Sequence, residues 1–221
     1  MTIHQSRIIS KLCVSSIMVF TLQNTAAMTI KADIYADNWF ALYQENKLIK
    51  EDSVPFNTER SFNTESFTFN AELPAQFSVI IKDYYENDTG LEYIGSRRQQ
   101  MGDGGFVAQF FNADTDQLIE VSDNNWRCTV IHQAPLNKSC SIDDEPEKTC
   151  TSNISEPPQD WQAKDFDDSS WPTAIEYSFN AVRPHGGYRD ASWRDEAKLI
   201  WSNDLEVDNV LLCRFTIDSI K

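Results

Sequence analysis

Two segments of this acidic chain combine glycine, arginine and aromatic residues in a way that suits sugar recognition. Five of the seven glycines lie between Gly90 and Gly105, and the other two are Gly186 and Gly187. Glycine permits tight turns and lets another group approach the backbone closely. An aromatic face can pack on a sugar ring, and arginine supplies paired donors that suit a carboxylate or sulfate. The candidate saccharide-binding side chains are Arg97, Arg98, Arg183, His185, Tyr188, Trp193 and Tyr85.

We therefore predict that the loops 90–105 and 183–188 lie together at one end of the fold and bind an anionic saccharide. Loops carried by a rigid scaffold are a common place for binding sites. The alternative is that the arginines neutralise nearby carboxylates and that the glycines only turn the chain, which are the usual roles of these residues.

Carboxylates are abundant and lie mainly in turns, as at 143–145 and 167–168. Turn loops of this kind can offer hard oxygen ligands to calcium, and Asp37, Asn38 and Asp83 are the candidate ligands. The chain has no G-x-S-x-G, H-E-x-x-H or G-x-x-x-x-G-K-[ST] motif. A glycosidase pair of carboxylates stays open by residue count alone. The sequence favours a protein without catalytic activity and with calcium as the one candidate cofactor.

Copper binding is a different possibility, because imidazole is a ligand that suits copper. His132 and His185 are the two histidines outside the N-terminal segment, and Trp126 could complete a small copper site with them. No closely spaced ligand motif accompanies either histidine. His132 ends a predicted strand, so the simpler expectation for it is a structural role.

The N-terminal segment has the features of a secretory signal peptide. Arg7 and Lys11 give it a positive start, residues 12–22 are apolar, and Thr25-Ala26-Ala27 offers small residues for cleavage. An amphipathic N-terminal helix is the alternative. We predict that residues 1–27 are removed and that the mature protein is secreted, either extracellular or, in a bacterium, periplasmic.

The mature chain is expected to be strongly acidic. Removal of Arg7 and Lys11 changes the formal net charge from −15 to −17. Such a surface repels phosphate backbones and anionic lipids, so nucleic-acid and membrane partners are not expected. The predicted partner is an extracellular glycan.

Four cysteines follow the predicted leader, and an even number in an exported protein predicts two disulfides. The four residues allow three connectivities, which the sequence does not separate. We favour Cys140–Cys150, which would close an acidic loop, and Cys128–Cys213, which would join two strands. A metal site lacks the C-x-x-C spacing that would support it.

Alternation with a period of two dominates the rest of the chain and predicts an all-β fold. Residues 34–43 alternate between two faces, and 45–46 sit where a hairpin turn would precede 47–49. No window shows convincing helical periodicity, and residues 137–160 are predicted to form a long loop. Residues 28–221 are treated as one domain. Further predicted strands are 66–70, 76–83, 105–111, 118–121, 126–132, 175–181, 198–201 and 210–217.

Several segments resemble the galactose-binding-like β-sandwich of secreted carbohydrate-binding modules. The stretch 161–171 has the pattern Trp-x4-Phe-Asp-Asp-Ser-x-Trp, and its aromatics are expected to close the sandwich. Residues 36–47 are similar to the "ADN-x-F-x-L-Y-x-NGK" hairpin of that family, and 121–127 to its "TD-x-SW-K" segment. The resemblance implies a jelly-roll-like sandwich with a permuted strand order. It also implies a secreted, non-catalytic carbohydrate-binding protein, with a secreted metal-binding protein or a structural, adhesive module as the alternatives.

Overall fold

The computed structural model describes residues 27–56, 63–183 and 192–218, and strands make up most of its regular structure. The two short α-helices are α1 (Pro146–Thr149) and α2 (Phe179–Val182), and a 3-10 helix covers Lys138–Ile142. The strands are β1 (Met28–Asp37), β2 (Trp39–Gln44), β3 (Lys47–Glu51), β4 (Asn63–Ala71), β5 (Ala75–Lys82), β6 (Leu91–Glu92), β7 (Gln100–Met101), β8 (Gly105–Asn112), β9 (Leu118–Val121), β10 (Arg127–Gln133), β11 (Asn153–Ile154), β12 (Ile175–Tyr177), β13 (Leu199–Trp201) and β14 (Asp208–Ile217).

The strands form two six-stranded antiparallel sheets that pack face to face, which confirms the predicted all-β sandwich. The first sheet has the order β12-β13-β8-β1-β4, with β9 also paired to β8. The second has the order β11-β10-β14-β5-β2-β3, and β6 and β7 form a separate ribbon. Asp37 pairs with Gly105 in the first sheet, and Lys82 lies between Trp39 and Val210 in the second. The ends of β1 and β5 and the starts of β8 and β14 therefore mark one end of the sandwich.

The core lies between the sheets and follows from the alternation in the sequence. Ile30, Ile34, Phe106 and Phe110 point inward from the first sheet and are fully buried. The inward residues of the second sheet include Phe77 and others of β5, β2 and β14. Alternate residues of a strand face opposite sides of its sheet, so a period of two in the sequence gives one continuous apolar face.

The predicted strand 175–181 is wrong in its second half. It ends at Tyr177, and Ser178 begins α2 by accepting a hydrogen bond at its hydroxyl from the backbone N–H of Ala181. A serine in this position satisfies one of the free N–H groups of a helix N-terminus.

The aromatics of the 161–171 motif do not lie between the sheets as expected. Trp161, Phe166 and Trp171 pack on Leu212, on the outer face of the second sheet. Trp126 and Trp201 occupy the core between the sheets, where Trp126 stacks on a phenylalanine ring of β14 with the centroids 3.8 Å apart. The motif therefore covers one sheet from outside.

A buried ion pair holds this covering segment in place. The side chain of Arg214 is 1 % exposed, and its Nε donates to Asp168 Oδ2 at 2.8 Å. Its guanidinium also donates to the backbone carbonyl of Trp161. The aspartate of the motif thus supplies the counter-charge for an arginine that β14 buries.

Two disulfides are present, as predicted. Cys128 and Cys213 lie opposite each other in β10 and β14, and their bond lies within the core. Cys140 and Cys150 close the loop that carries the 3-10 helix and α1. The predicted leader lies outside the described residues except for Ala27, and no helix among the described residues is long and apolar enough to cross a membrane.

We predict that Asp168→Asn lowers the free energy of unfolding by about 3 kcal/mol, because it leaves the Arg214 charge buried without a counter-charge. Asp167→Asn is the matched control, since Asp167 is exposed and accepts local hydrogen bonds from the backbone N–H and the side chain of Ser169. That control should change stability by less than about 0.5 kcal/mol. Urea unfolding followed by tryptophan fluorescence measures both values. Equal effects of the two substitutions would show that the ion pair does not hold the segment.

Candidate functional site

A groove of about 950 Å³ opens at the end of the sandwich defined above. Residues 99–103 form one wall, residues 180–183 and 203–206 form further walls, and Ser141 and Tyr177 complete the lining. Polar side chains predominate, and their amide and hydroxyl groups can exchange hydrogen bonds with a hydroxylated ligand. Residues 99–103 of the first predicted loop and Arg183 of the second thus line the same groove.

The structure describes five of the seven predicted saccharide residues, and of these Arg183 alone lines the groove. Arg183 lines the groove directly after α2, with a left-handed φ of 50°. Arg97 and Arg98 are exposed on a turn outside the groove lining. His185 and Tyr188 lie outside the described residues.

The two remaining aromatic candidates pack against other rings. Tyr85 stacks on His132, with the ring centroids 4.4 Å apart. Trp193 meets Tyr35 edge-on at 5.4 Å on the outer face of the first sheet. Neither ring lines the groove, so the aromatic platform predicted from the sequence is not formed by these two residues.

The charges along the described walls are mixed. Asp103, Asp204 and Glu206 are acidic, and Arg183 makes no ion pair with a described residue. Lys138 Nζ lies 3.0 Å from Asp204 and 2.8 Å from Glu206, and this pairing raises the pKa of the lysine. Lys138 therefore neutralises part of the acidic wall.

The Cys140–Cys150 loop supports the wall formed by 99–103. Gln99 Nε2 donates to the backbone carbonyls of Ser141 and Asp143, each at 2.9 Å. The sequence gave no indication of this contact, because Gln99 is an ordinary polar residue in a turn and its partners lie far along the chain.

Three carboxylates meet where the groove joins the core. Asp37 ends β1, Asp83 follows β5, and Asp103 precedes β8, and their ligand oxygens all lie within 4.8 Å of one another. Asp83 is fully buried, and neither of its oxygens accepts a hydrogen bond from a described residue, since the nearby backbone N–H of Tyr84 donates to Asn38 Oδ1. Burial raises the pKa of Asp83 well above its usual range, and the charges of Asp37, Glu92 and Asp103 add to this, with a weak opposing effect from the Tyr84 backbone N–H.

Glycine is required at positions 102 and 104, because buried side chains lie close to the backbone there. A methyl group on Gly102 would lie 1.7 Å from Asp83 Oδ2, and one on Gly104 would lie 2.3 Å from the Trp201 ring. No side chain fits at either position without displacing a buried group. These two glycines bring the groove wall onto the carboxylates and the core.

The asparagine beside the carboxylates is not the one that the sequence suggested. The Asn38 side-chain oxygen accepts the backbone N–H of Tyr84 at 2.5 Å and serves the backbone. Asn209 is fully buried, its oxygen has no hydrogen-bond partner, and its backbone carbonyl accepts the Asp83 N–H at 2.9 Å. The pairing of β5 with β14 brings Asn209 to the site, and the sequence pattern does not reveal that pairing.

The copper hypothesis receives no support from the described residues. His132 is 4 % exposed, and no Asp, Glu, Cys or other His among the described residues joins it in a group of three possible ligands. Trp126 precedes β10 and His132 lies near its end, so about 20 Å of extended strand separates them at about 3.3 Å per residue. Trp126 is therefore not a partner for His132.

A second cavity of about 570 Å³ opens along the edge between β9 and β10. Glu120 lines it and accepts a hydrogen bond from Trp126 Nε1 at 3.2 Å. The pKa of Glu120 is raised to about 7, mainly by burial and also by the charges of Asp123 and Asp218, while the hydrogen bond from Trp126 opposes the rise.

Comparisons of the chain with family models, with curated proteins and with solved structures gave no match. The fold and the site define a disulfide-bonded, all-β sandwich. It has an open polar groove and a buried carboxylate cluster at one end.

We predict that Glu120→Gln removes part of the pH dependence of stability. The folded state holds the Glu120 proton more tightly than the unfolded state, because its folded pKa is about 7 and its ordinary value is 4.5. This contribution is fully present below pH 4.5 and is lost as pH rises to about 7. The variant should therefore gain stability relative to the wild type across this interval, with a constant difference above it. Urea unfolding at several pH values measures the difference, and parallel curves would contradict the prediction.

Proposed function

We propose that the protein is a secreted, non-catalytic module that binds a glycan in the groove at the end of the sandwich, and that its architecture is that of the galactose-binding-like domains. One observation carries this proposal: the segments 99–103 and 180–183, which are far apart in the sequence, line a single open groove. A rigid sandwich end with polar loops is suited to a ligand that offers many hydroxyl groups.

Arg183 is the residue through which the groove would recognise an acidic sugar. Its side chain is exposed, and its one hydrogen bond to a described residue is a 3.4 Å contact from Nε to the backbone carbonyl of Asn180. A guanidinium in this state can form a paired contact with a uronate carboxylate or a sulfate. Asp204 and Glu206, which also line the groove, oppose a polyanion, although Lys138 offsets them in part. An acidic residue within a mixed glycan therefore suits the groove better than a densely charged chain.

The proposal predicts that Arg183→Ala weakens glycan binding by about ten- to a hundredfold, the effect of losing a charge-assisted bond worth about 1.5–3 kcal/mol. A glycan array with neutral, uronate-containing and sulfated members identifies the ligand, and calorimetry with the best ligand measures affinity. The double variant Arg97→Ala, Arg98→Ala is the control, because these exposed arginines lie outside the groove lining.

Two results would overturn this assignment. The first is an array without a ligand of any class. The second is a ligand whose affinity falls in the Arg97, Arg98 control and not in Arg183→Ala. A copper titration in parallel tests the metal-binding alternative, in which His132→Ala abolishes tight binding.

A further inference from the structure

The carboxylate of Asp83 is enclosed by other oxygen atoms and has no hydrogen-bond donor among the described residues. Both carboxylate oxygens of Asp83 are buried and unbonded, and Asp37 and Asp103 bring two further carboxylates within 4.8 Å. Buried acceptors without donors are strongly unfavourable, and buried charges are normally paired or bound to a metal ion. The orientation of the buried Asn209 side chain is a second, independent indication of a bound cation.

Asn209 turns an oxygen, and not its amide nitrogen, towards the cluster. Its Nδ2 donates to the backbone carbonyls of Ala134 at 2.7 Å and Val207 at 3.0 Å, and it lies 3.2 Å from His132 Nδ1. A reversed amide would set its oxygen against two carbonyl oxygens, so the hydrogen-bond network fixes the assignment. The Asn209 oxygen is therefore held on the side away from these groups.

That oxygen is held near Asp83. A methyl group on Gly102 would lie 1.7 Å from Asp83 Oδ2 and 3.5 Å from Asn209 Oδ1, so one small region borders both oxygens. The buried Asn209 amide could have donated a hydrogen bond to the Asp83 carboxylate, but its oxygen faces the carboxylate instead. This arrangement is suited to a bound cation.

We propose that Asp37, Asp83, Asp103 and the side-chain oxygen of Asn209 bind one hard divalent cation, and that this cation is calcium. The site has four oxygen donors and no nitrogen or sulfur donor, which suits calcium and disfavours copper or zinc. Calcium accepts oxygen ligands at about 2.3–2.6 Å, so ligands on opposite sides of the ion lie about 5 Å apart. The ligand oxygens of the three carboxylates lie within 4.8 Å of one another, which fits this spacing.

The cation would join both sheets to the groove wall. Asp37 belongs to the first sheet, Asp83 and Asn209 come from strands of the second, and Asp103 lies in the wall. Binding would hold the 99–103 segment against the end of the sandwich. The inference concerns the cation alone and does not require that the groove bind a glycan.

Calorimetry of the metal-free protein with calcium chloride tests the proposal. We expect one ion per chain with a Kd of about 0.1–1 mM, as in other extracellular calcium modules, and weaker binding of magnesium. Asp83→Asn and Asp103→Asn should each weaken calcium binding by more than about tenfold, since even outer partners of metal ligands change affinity by that much. Asp123→Asn, which alters a carboxylate of the second cavity, should leave binding unchanged.

Thermal unfolding gives a readout that a structural role of Asp83 alone would not produce. In EDTA, Asp83→Asn should unfold at a higher temperature than the wild type, because the introduced amide can donate to the Asn209 oxygen. In calcium the order should reverse, since the wild type alone is stabilised by binding. Calcium should also slow amide hydrogen exchange in residues 100–105 of the wild type.

The proposal is overturned if calcium gives neither heat nor a thermal shift in the wild type, which would assign a proton to the Asp83 cluster. It is also overturned if Asp83→Asn and Asp103→Asn bind calcium as the wild type does. Loss of glycan binding in Arg183→Ala with calcium binding intact would leave the cation site standing, so the two proposals fail separately.

Discussion

The burial of Asp83 is the constraint around which one end of the sandwich is built. Its carboxylate lies between two sheets, without a donor, beside Asp37 and Asp103. Arrangements of this kind are strongly unfavourable in a medium that solvates charge poorly. The neighbouring structure is shaped around it: Gly102 passes too close to Asp83 for any side chain, and Asn209 is held with its oxygen forward. The groove begins where this cluster reaches the surface, at Asp103.

A second charged group, Arg214, is also buried, but its charge is paired within the chain. Arg214 is as inaccessible as Asp83, but Asp168 balances its charge and backbone carbonyls of the covering segment accept its remaining hydrogens. That pair is complete within the chain and therefore belongs to the architecture. The carboxylate oxygens of Asp83 and the side-chain oxygen of Asn209, in contrast, have no hydrogen-bond partner among the described residues, and unpartnered buried polar atoms beside a groove call for a structural explanation.

The groove lining is supported at two places. Gln99 contacts the loop closed by Cys140 and Cys150, and Lys138, which begins the 3-10 helix that leads into this loop, contacts Asp204 and Glu206 in another part of the lining. This disulfide-bonded segment thus braces two parts of the lining. Bracing of this kind reduces the conformational entropy that a ligand would otherwise have to remove on binding. The loop 137–160, which the sequence presented as a polar connection, is part of the frame of the site.

The sequence by itself determined the fold class and the presence of two disulfides. Alternation of period two is local information, because side chains two residues apart share one face of a strand. Clustered glycines are local too, and they marked 90–105 as a segment that something approaches closely. Tertiary structure alone decided which residues meet. Asp103 and Asn209 look like ordinary turn and strand residues, and they join Asp83 because β5 pairs with β14 while β8 starts beside the end of β1. The tertiary structure also decided that Trp161 and Trp171 lie on an outer face of the second sheet. An aromatic pattern predicts that a residue is buried, but it does not predict against which face of a sheet the residue packs.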